Sequence, residues 1–156
     1  MILKISRQLG KKLKAGHAML VTAESCTGGW VAQAVTSVAG SSDWFERGYV
    51  TYSNAAKREA LGVQKKTLLR HGAVSEQTAR AMAQGALRKG RAHIALAITG
   101  IAGPGGGAPG KPVGTVCFAW ARGRNIRSET KRFRGGRTSV RRQSVIHALR
   151  GVLKWF

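Results

Sequence analysis

The chain has 156 residues, 43% of them apolar, and carries 27 Lys and Arg against 6 Asp and Glu, a formal charge of +21. That length and apolar share fit one domain with one core, and the charge favours anionic partners: phosphorylated small molecules, nucleic acid or a membrane surface. Six acids leave little room for a glycosidase-type carboxylate pair, the separated histidines show no metal-ligand spacing, and Cys26 and Cys117 form neither a disulfide framework nor a zinc pattern.

No apolar run is long enough to span a bilayer, and the basic first fourteen residues lack the apolar centre of a secretory signal, so a cytoplasmic protein is the expectation. Residues 2–15 predict an amphipathic helix, with Ile2, Ile5, Leu9 and Leu13 at helical spacing among lysines. Residues 18–22 are a short apolar run expected as a buried strand. The stretch TAESCTGGW (22–30) then turns the chain into a helix over 29–38 that ends at Gly40. GYVTYS (48–53) is rich in β-branched and aromatic residues and reads as a strand. Asn54 is positioned to cap a helix to Leu61, stopped by Gly62. Ser75 caps a longer helix to Lys89, with Glu76 in its first turn and Gly90 as its stop.

HIALAIT (93–99) is a second buried-strand candidate. The segment 100–112, GIAGPGGGAPGKP, holds all three prolines of the chain among its glycines, so neither a helix nor a central strand passes through it. Residues 113–121 and 126–133 read as strands that turn near 123–125, and 138–154 as a closing helix. Strands alternating with helices predict a single-domain α/β fold over residues 1–156 with a largely parallel central sheet.

Three places carry candidate chemistry. In TAESCTGGW, a strand, a tight turn and a glycine-started helix together present backbone N–H groups that suit a phosphate or an oxyanion, with Ser25 offered to the same spot. The competing reading is that Ser25 or Thr27 only caps the helix. In YSNAAK (52–57), Lys57 falls near a helix start, where dipole and surrounding positive charge disfavour a cation; such a lysine can serve a serine as base. It reads equally as an exposed helical lysine, and Tyr52 as a proton relay or a strand-face aromatic. The glycine loop follows a strand, and Thr99 and Gly100 lie at that strand's C-terminal end, where α/β folds place ligands. No Lys-Ser/Thr follows it in Walker register.

Taken together, AESCTGG (23–29), FERGYVTYSNAAK (45–57), HGAVSE (71–76), TGIAGPGGG (99–107) and KPVGTV (111–116) closely resemble the CinA C-terminal domain family, the nicotinamide-nucleotide amidase family, over roughly residues 5–155. The resemblance implies a three-layer α/β/α sandwich. It implies hydrolysis of the carboxamide of nicotinamide mononucleotide in pyridine-nucleotide salvage, with no metal or other cofactor. It places the nucleophile on Ser25, the lysine base on Lys57 and the motif tyrosine on Tyr52. It places substrate contacts on Cys26, Thr27, Gly28, Thr99 and Gly100, and candidates for the substrate phosphate on Arg137 and Arg141. It also implies a homo-oligomer. The family often has an acid where this chain has Ala55, and an Asp where it has Gly136.

A second function stays open beside the amidase. The resemblance to CinA-type proteins implies a link to competence and DNA damage, and residues 122–142, with nine Lys and Arg against Glu129 alone, suit a basic module with weak nucleic-acid contact. Phe133 is the one aromatic residue there, so base stacking has little to work with.

Overall fold

Side-chain size alternates along the two central strands and sets the architecture. In β3 (Ile94–Gly100) and β4 (Thr115–Arg122), Ile94, Leu96, Ile98, Val116, Phe118 and Trp120 point to one face of the sheet. Ala95, Ala97, Cys117, Ala119 and Ala121 point to the other. Both faces are buried, so these strands read in sequence as continuous apolar runs. The computed structural model describes residues 1–156.

Five strands form one sheet in the order β2-β1-β3-β4-β5. β1 (Leu20–Glu24) pairs in parallel with both β2 (Phe45–Val50) and β3. β4 and β5 (Asn125–Arg132) run antiparallel as a hairpin, so the expected parallel core occupies the β2-β1-β3 half. A two-residue turn at Gly123 and Arg124 joins the hairpin, which therefore needs no crossover helix.

Helices α1 (Ile2–Ala15), α2 (Trp30–Thr36) and α6 (Arg137–Leu153) cover the large-residue face. α1 contributes Ile5, Leu9 and Leu13 at i, i+4, i+8, the stripe its sequence predicts. α3 (Asn54–Leu61), α4 (Lys65–His71) and α5 (Glu76–Lys89) cover the alanine face. α5 offers Ala79, Met82, Ala83 and Ala86 to that face, so small side chains meet small side chains. A Cβ at Gly85 would overlap the carbonyl of Leu61, so α5 crosses directly over the end of α3.

Three sequence expectations move. The strand expected at 48–53 is Phe45–Val50, because the edge position lets charged Glu46 and Arg47 pair with each other outside the sheet. The cap of α3 is Ser53, whose Oγ accepts from the Ala56 amide at 3.0 Å, and Asn54 is the first helical residue. α4 has no clear apolar period, with Leu68 its one buried residue, and nothing in its sequence marks it as a helix. The expected cap of α5 is present: Ser75 Oγ accepts from the Thr78 amide at 3.1 Å.

Two arginines of the basic stretch 122–142 pack against aromatic rings. Arg127 stacks between Trp120 and Trp155 and donates to the Gly151 carbonyl at 2.7 Å. Arg122 lies over Phe156 and donates to the Trp155 carbonyl at 3.0 Å. No helix is long and apolar enough to cross a membrane.

Candidate active site

The C-terminal ends of β1 and β3 lie side by side, and the turn leaving β1 carries Ser25. Its amide donates to the Ile98 carbonyl of β3 at 2.9 Å, which fixes the start of the turn. The neighbouring strand β2 then leads into α3, and this connection brings Lys57 to Ser25 across 32 residues of sequence. Lys57 Nζ lies 3.1 Å from Ser25 Oγ, and donates to the carbonyls of Thr51 at 3.1 Å and Tyr52 at 3.2 Å. Only 1% of Lys57 and 7% of Ser25 is exposed, so the pair meets in a dry setting.

Burial holds the Lys57 ammonium below lysine's usual 10.5, with a weaker opposing effect from Cys26. A neutral amine has two N–H donors and one lone pair. The Thr51 and Tyr52 carbonyls can take the two donors, and the lone pair then faces Ser25 Oγ. The arrangement is that of a hydroxyl with an adjacent base.

Both residues line a cleft of about 270 Å³ with Cys26, Tyr52, Thr99, Gly100 and Arg137. Thr99 is buried and its hydroxyl donates to the Ala73 carbonyl at 2.8 Å, holding the segment before α5 against the cleft. The Cys26 thiol is pushed up to about 12 by burial, so it is a neutral neighbour and no thiolate nucleophile at neutral pH. The Cys26 amide donates to no other residue.

At the cleft mouth, Arg137 Nη1 donates to the Gly103 carbonyl at 2.9 Å and Nη2 to the Tyr52 hydroxyl at 3.0 Å. Tyr52 is 61% exposed, and it is its backbone carbonyl, not its phenol, that meets Lys57. The phenol accepts from Arg137 and makes no direct hydrogen bond to Ser25 or Lys57.

The structure does not bring Thr27, Gly28 or Arg141 into the cleft. Thr27 is fully buried with an unpartnered hydroxyl, and Gly28 serves the turn at φ +59°. Arg141 lies behind the turn, donating through Nε to the Cys26 carbonyl at 3.0 Å and through Nη2 to the Thr27 carbonyl at 3.1 Å. The anion cradle expected at the start of α2 is also filled from within. Glu24, fully buried, accepts from the Val31 amide at 2.8 Å and the Ala32 amide at 3.1 Å. Neither Ser25 nor Thr27 caps that helix; Glu24 does. Its signal in the sequence was an acid directly before the hydroxyl-and-glycine turn, in a chain with few acids.

A larger cavity of about 740 Å³ lies between α5 and β5, with Arg70, Arg80 and Lys111 on its walls, and there the Thr130 hydroxyl donates to Glu76 Oε2 at 2.8 Å.

Residues 2–156 match the family model described as CinA C-terminal domain. A protein of Escherichia coli (strain K12) named nicotinamide-nucleotide amidohydrolase PncC is 53% identical over 157 residues, covering 99% of this chain and 94% of that protein. A protein of the same name from Pseudomonas putida is 50% identical, covering 98% of this chain and 96% of that protein. The crystal structure of competence/damage inducible protein CihA from Agrobacterium tumefaciens matches with TM-score 0.96 and 46% identity, covering 98% of this chain and 94% of that one.

Proposed function

This chain belongs to the CinA C-terminal domain family, and from that premise we propose that it hydrolyses the carboxamide of nicotinamide mononucleotide to nicotinate mononucleotide and ammonia. The observation that carries the reading is the buried 3.1 Å approach of Lys57 Nζ to Ser25 Oγ at the floor of the cleft. The names of full-length relatives near 50% identity support the substrate.

In this reading, neutral Lys57 takes the Ser25 proton as Oγ attacks the carboxamide carbon. The C=O pair moves onto oxygen, and the unpaired Cys26 amide receives that oxyanion. One such donor is typically worth about 3 kcal/mol of barrier. Protonated Lys57 gives its proton to the departing nitrogen, the C–N bond breaks and ammonia leaves. Water then adds to the Ser25 ester with Lys57 again as base, and nicotinate mononucleotide is released. Arg137, exposed at the mouth, is placed to meet the substrate phosphate with two parallel N–H groups. That contact would exchange Gly103 and Tyr52 for phosphate oxygens.

Ammonia release over a small panel of nicotinamide-containing compounds tests the proposal. The mononucleotide is expected to be the best substrate, and Ser25→Ala and Lys57→Met to be nearly inactive. Full activity in Ser25→Ala would remove the nucleophile assignment. The absence of ammonia from every carboxamide of the panel would remove the activity.

A further inference from the structure

Arg141 points away from the cleft, yet it touches the one turn on which the chemistry depends. Three peptide planes follow Ser25, and hydrogen bonds pin all three. The Gly28 amide donates to the Ser25 carbonyl at 3.0 Å, fixing the Ser25–Cys26 plane. Arg141 Nε holds the Cys26 carbonyl at 3.0 Å, and Nη2 shares the Thr27 carbonyl, at 3.1 Å, with the Trp30 amide, also at 3.1 Å; the Thr27–Gly28 plane in turn carries the amide that holds Ser25. The guanidinium is itself steadied on the Trp30 ring, with Cζ 5.4 Å from the centroid. Arginine suits this position because its planar fork reaches two neighbouring acceptors at once, which a lysine ammonium on a flexible stem does poorly.

The consequence lies at the Cys26 amide. Neither the Cys26 nor the Thr27 amide donates to another residue, and Cys26 is the one of the two that lines the cleft. An amide held in place but unsatisfied is what an oxyanion site requires, since its orientation costs nothing at the moment of reaction. The residue after a nucleophile at a strand-to-helix turn is also where such a donor is found in other folds.

We propose that Arg141 is a positioning residue: it holds the Thr27–Gly28 plane, whose Gly28 amide fixes the Ser25–Cys26 plane, so that the Cys26 amide faces the cleft as the oxyanion donor. It takes no part in holding the substrate phosphate. This rests on the assignment of Ser25 as nucleophile, and the experiment separates the two.

Arg141→Met, Arg141→Lys and Arg137→Met are compared in mononucleotide hydrolysis and in the acylation of Ser25 by 4-nitrophenyl nicotinate, an ester with no phosphate. Arg141→Met is expected to lower kcat for the mononucleotide by about 100-fold, the effect of losing one oxyanion donor. KM should be unchanged and the ester acylation rate should fall alongside. Arg141→Lys, which keeps the charge but offers a single donor nitrogen in place of the fork, should fall between. Millimolar guanidinium should restore part of the rate in Arg141→Met, which repair of a merely unstable protein would not show. Arg137→Met should raise KM for the mononucleotide and leave ester acylation intact. A rise in KM for the mononucleotide with ester acylation intact in both Arg141 variants would make Arg141 a phosphate ligand and overturn the proposal. Unchanged kinetics in both would do the same. Ester acylation that persists in Ser25→Ala would instead overturn the nucleophile assignment on which the proposal stands.

Discussion

Gly100 ends β3 where that strand meets the nucleophile turn, and replacing it with alanine tests whether this packing sets the site. A Cβ there would stand 2.8 Å from Val116 Cγ2, 3.0 Å from the Thr115 carbonyl oxygen and 3.1 Å from Cys26 Sγ, where ordinary contact begins at 3.4 Å. Backbone strain plays no part, because Gly100 is absent from the glycines with positive φ. Val116 is fully buried and the Thr115 oxygen belongs to the paired strand β4, so both resist displacement. Cys26, in the turn, is the softest of the three and should give way by a few tenths of an ångström. Overpacking of this kind typically costs about 1–3 kcal/mol. A misplacement of about 1 Å costs about 100-fold in rate, so a shift of about a third of that should lower kcat roughly fivefold, with KM little changed. Urea unfolding gives the first quantity and ammonia-release kinetics the second. A variant with the parent's urea midpoint and kcat would refute the idea that β3 braces the turn. A raised KM at full kcat would relocate the role of Gly100 to substrate contact.

The pH profile reports on Lys57. Only its neutral form is a base, and burial holds its ammonium below 10.5, so kcat/KM should fall tenfold per pH unit on the acid side of that lowered value. A profile flat down to pH 5 would argue against a lysine base. Glu24→Ala removes both acceptors for the Val31 and Ala32 amides in a fully buried place. Hydrogen bonds to a charged group contribute about 1.5–3 kcal/mol each, so calorimetry should show a loss of about 3 kcal/mol or more; a melting temperature within a degree of the parent would show the cap to be unimportant.

Much of the frame was legible because it follows from patterns with one physical cause. The apolar stripe of α1, the buried runs of β3 and β4 and the Ser75 cap need no tertiary information. β2 was displaced by three residues because an edge strand tolerates Glu46 and Arg47, which local composition reads as loop. α4 escaped for a related reason, since a seven-residue helix with one buried side chain has no period to detect. At the site, residue types at a strand end pointed to Ser25, and a helix start pointed to Lys57. Their meeting depends on the parallel pairing of β1 with β2, which no local window contains. The family resemblance places Thr27, Gly28 and Arg141 at the substrate; what the local sequence suggests by itself is a start of α2 open to an anion. Glu24 closes it, and a carboxylate folding back onto amides seven and eight residues ahead is a tertiary event.

The uneven faces of the sheet also act as a spacer. α5 rests on Ala95, Ala97, Ala119 and Ala121, and the end of α3 packs against α5 where Gly85 meets the Leu61 carbonyl. Any thickening of that layer, as by valine at one of the four alanines, would lift α5 and carry α3 with it. The Lys57 side chain would then be asked to reach farther for Ser25. The tolerance on the proton's path is therefore kept by methyl groups that face away from the cleft, and drift at those positions would register as lost turnover before it registered as lost fold.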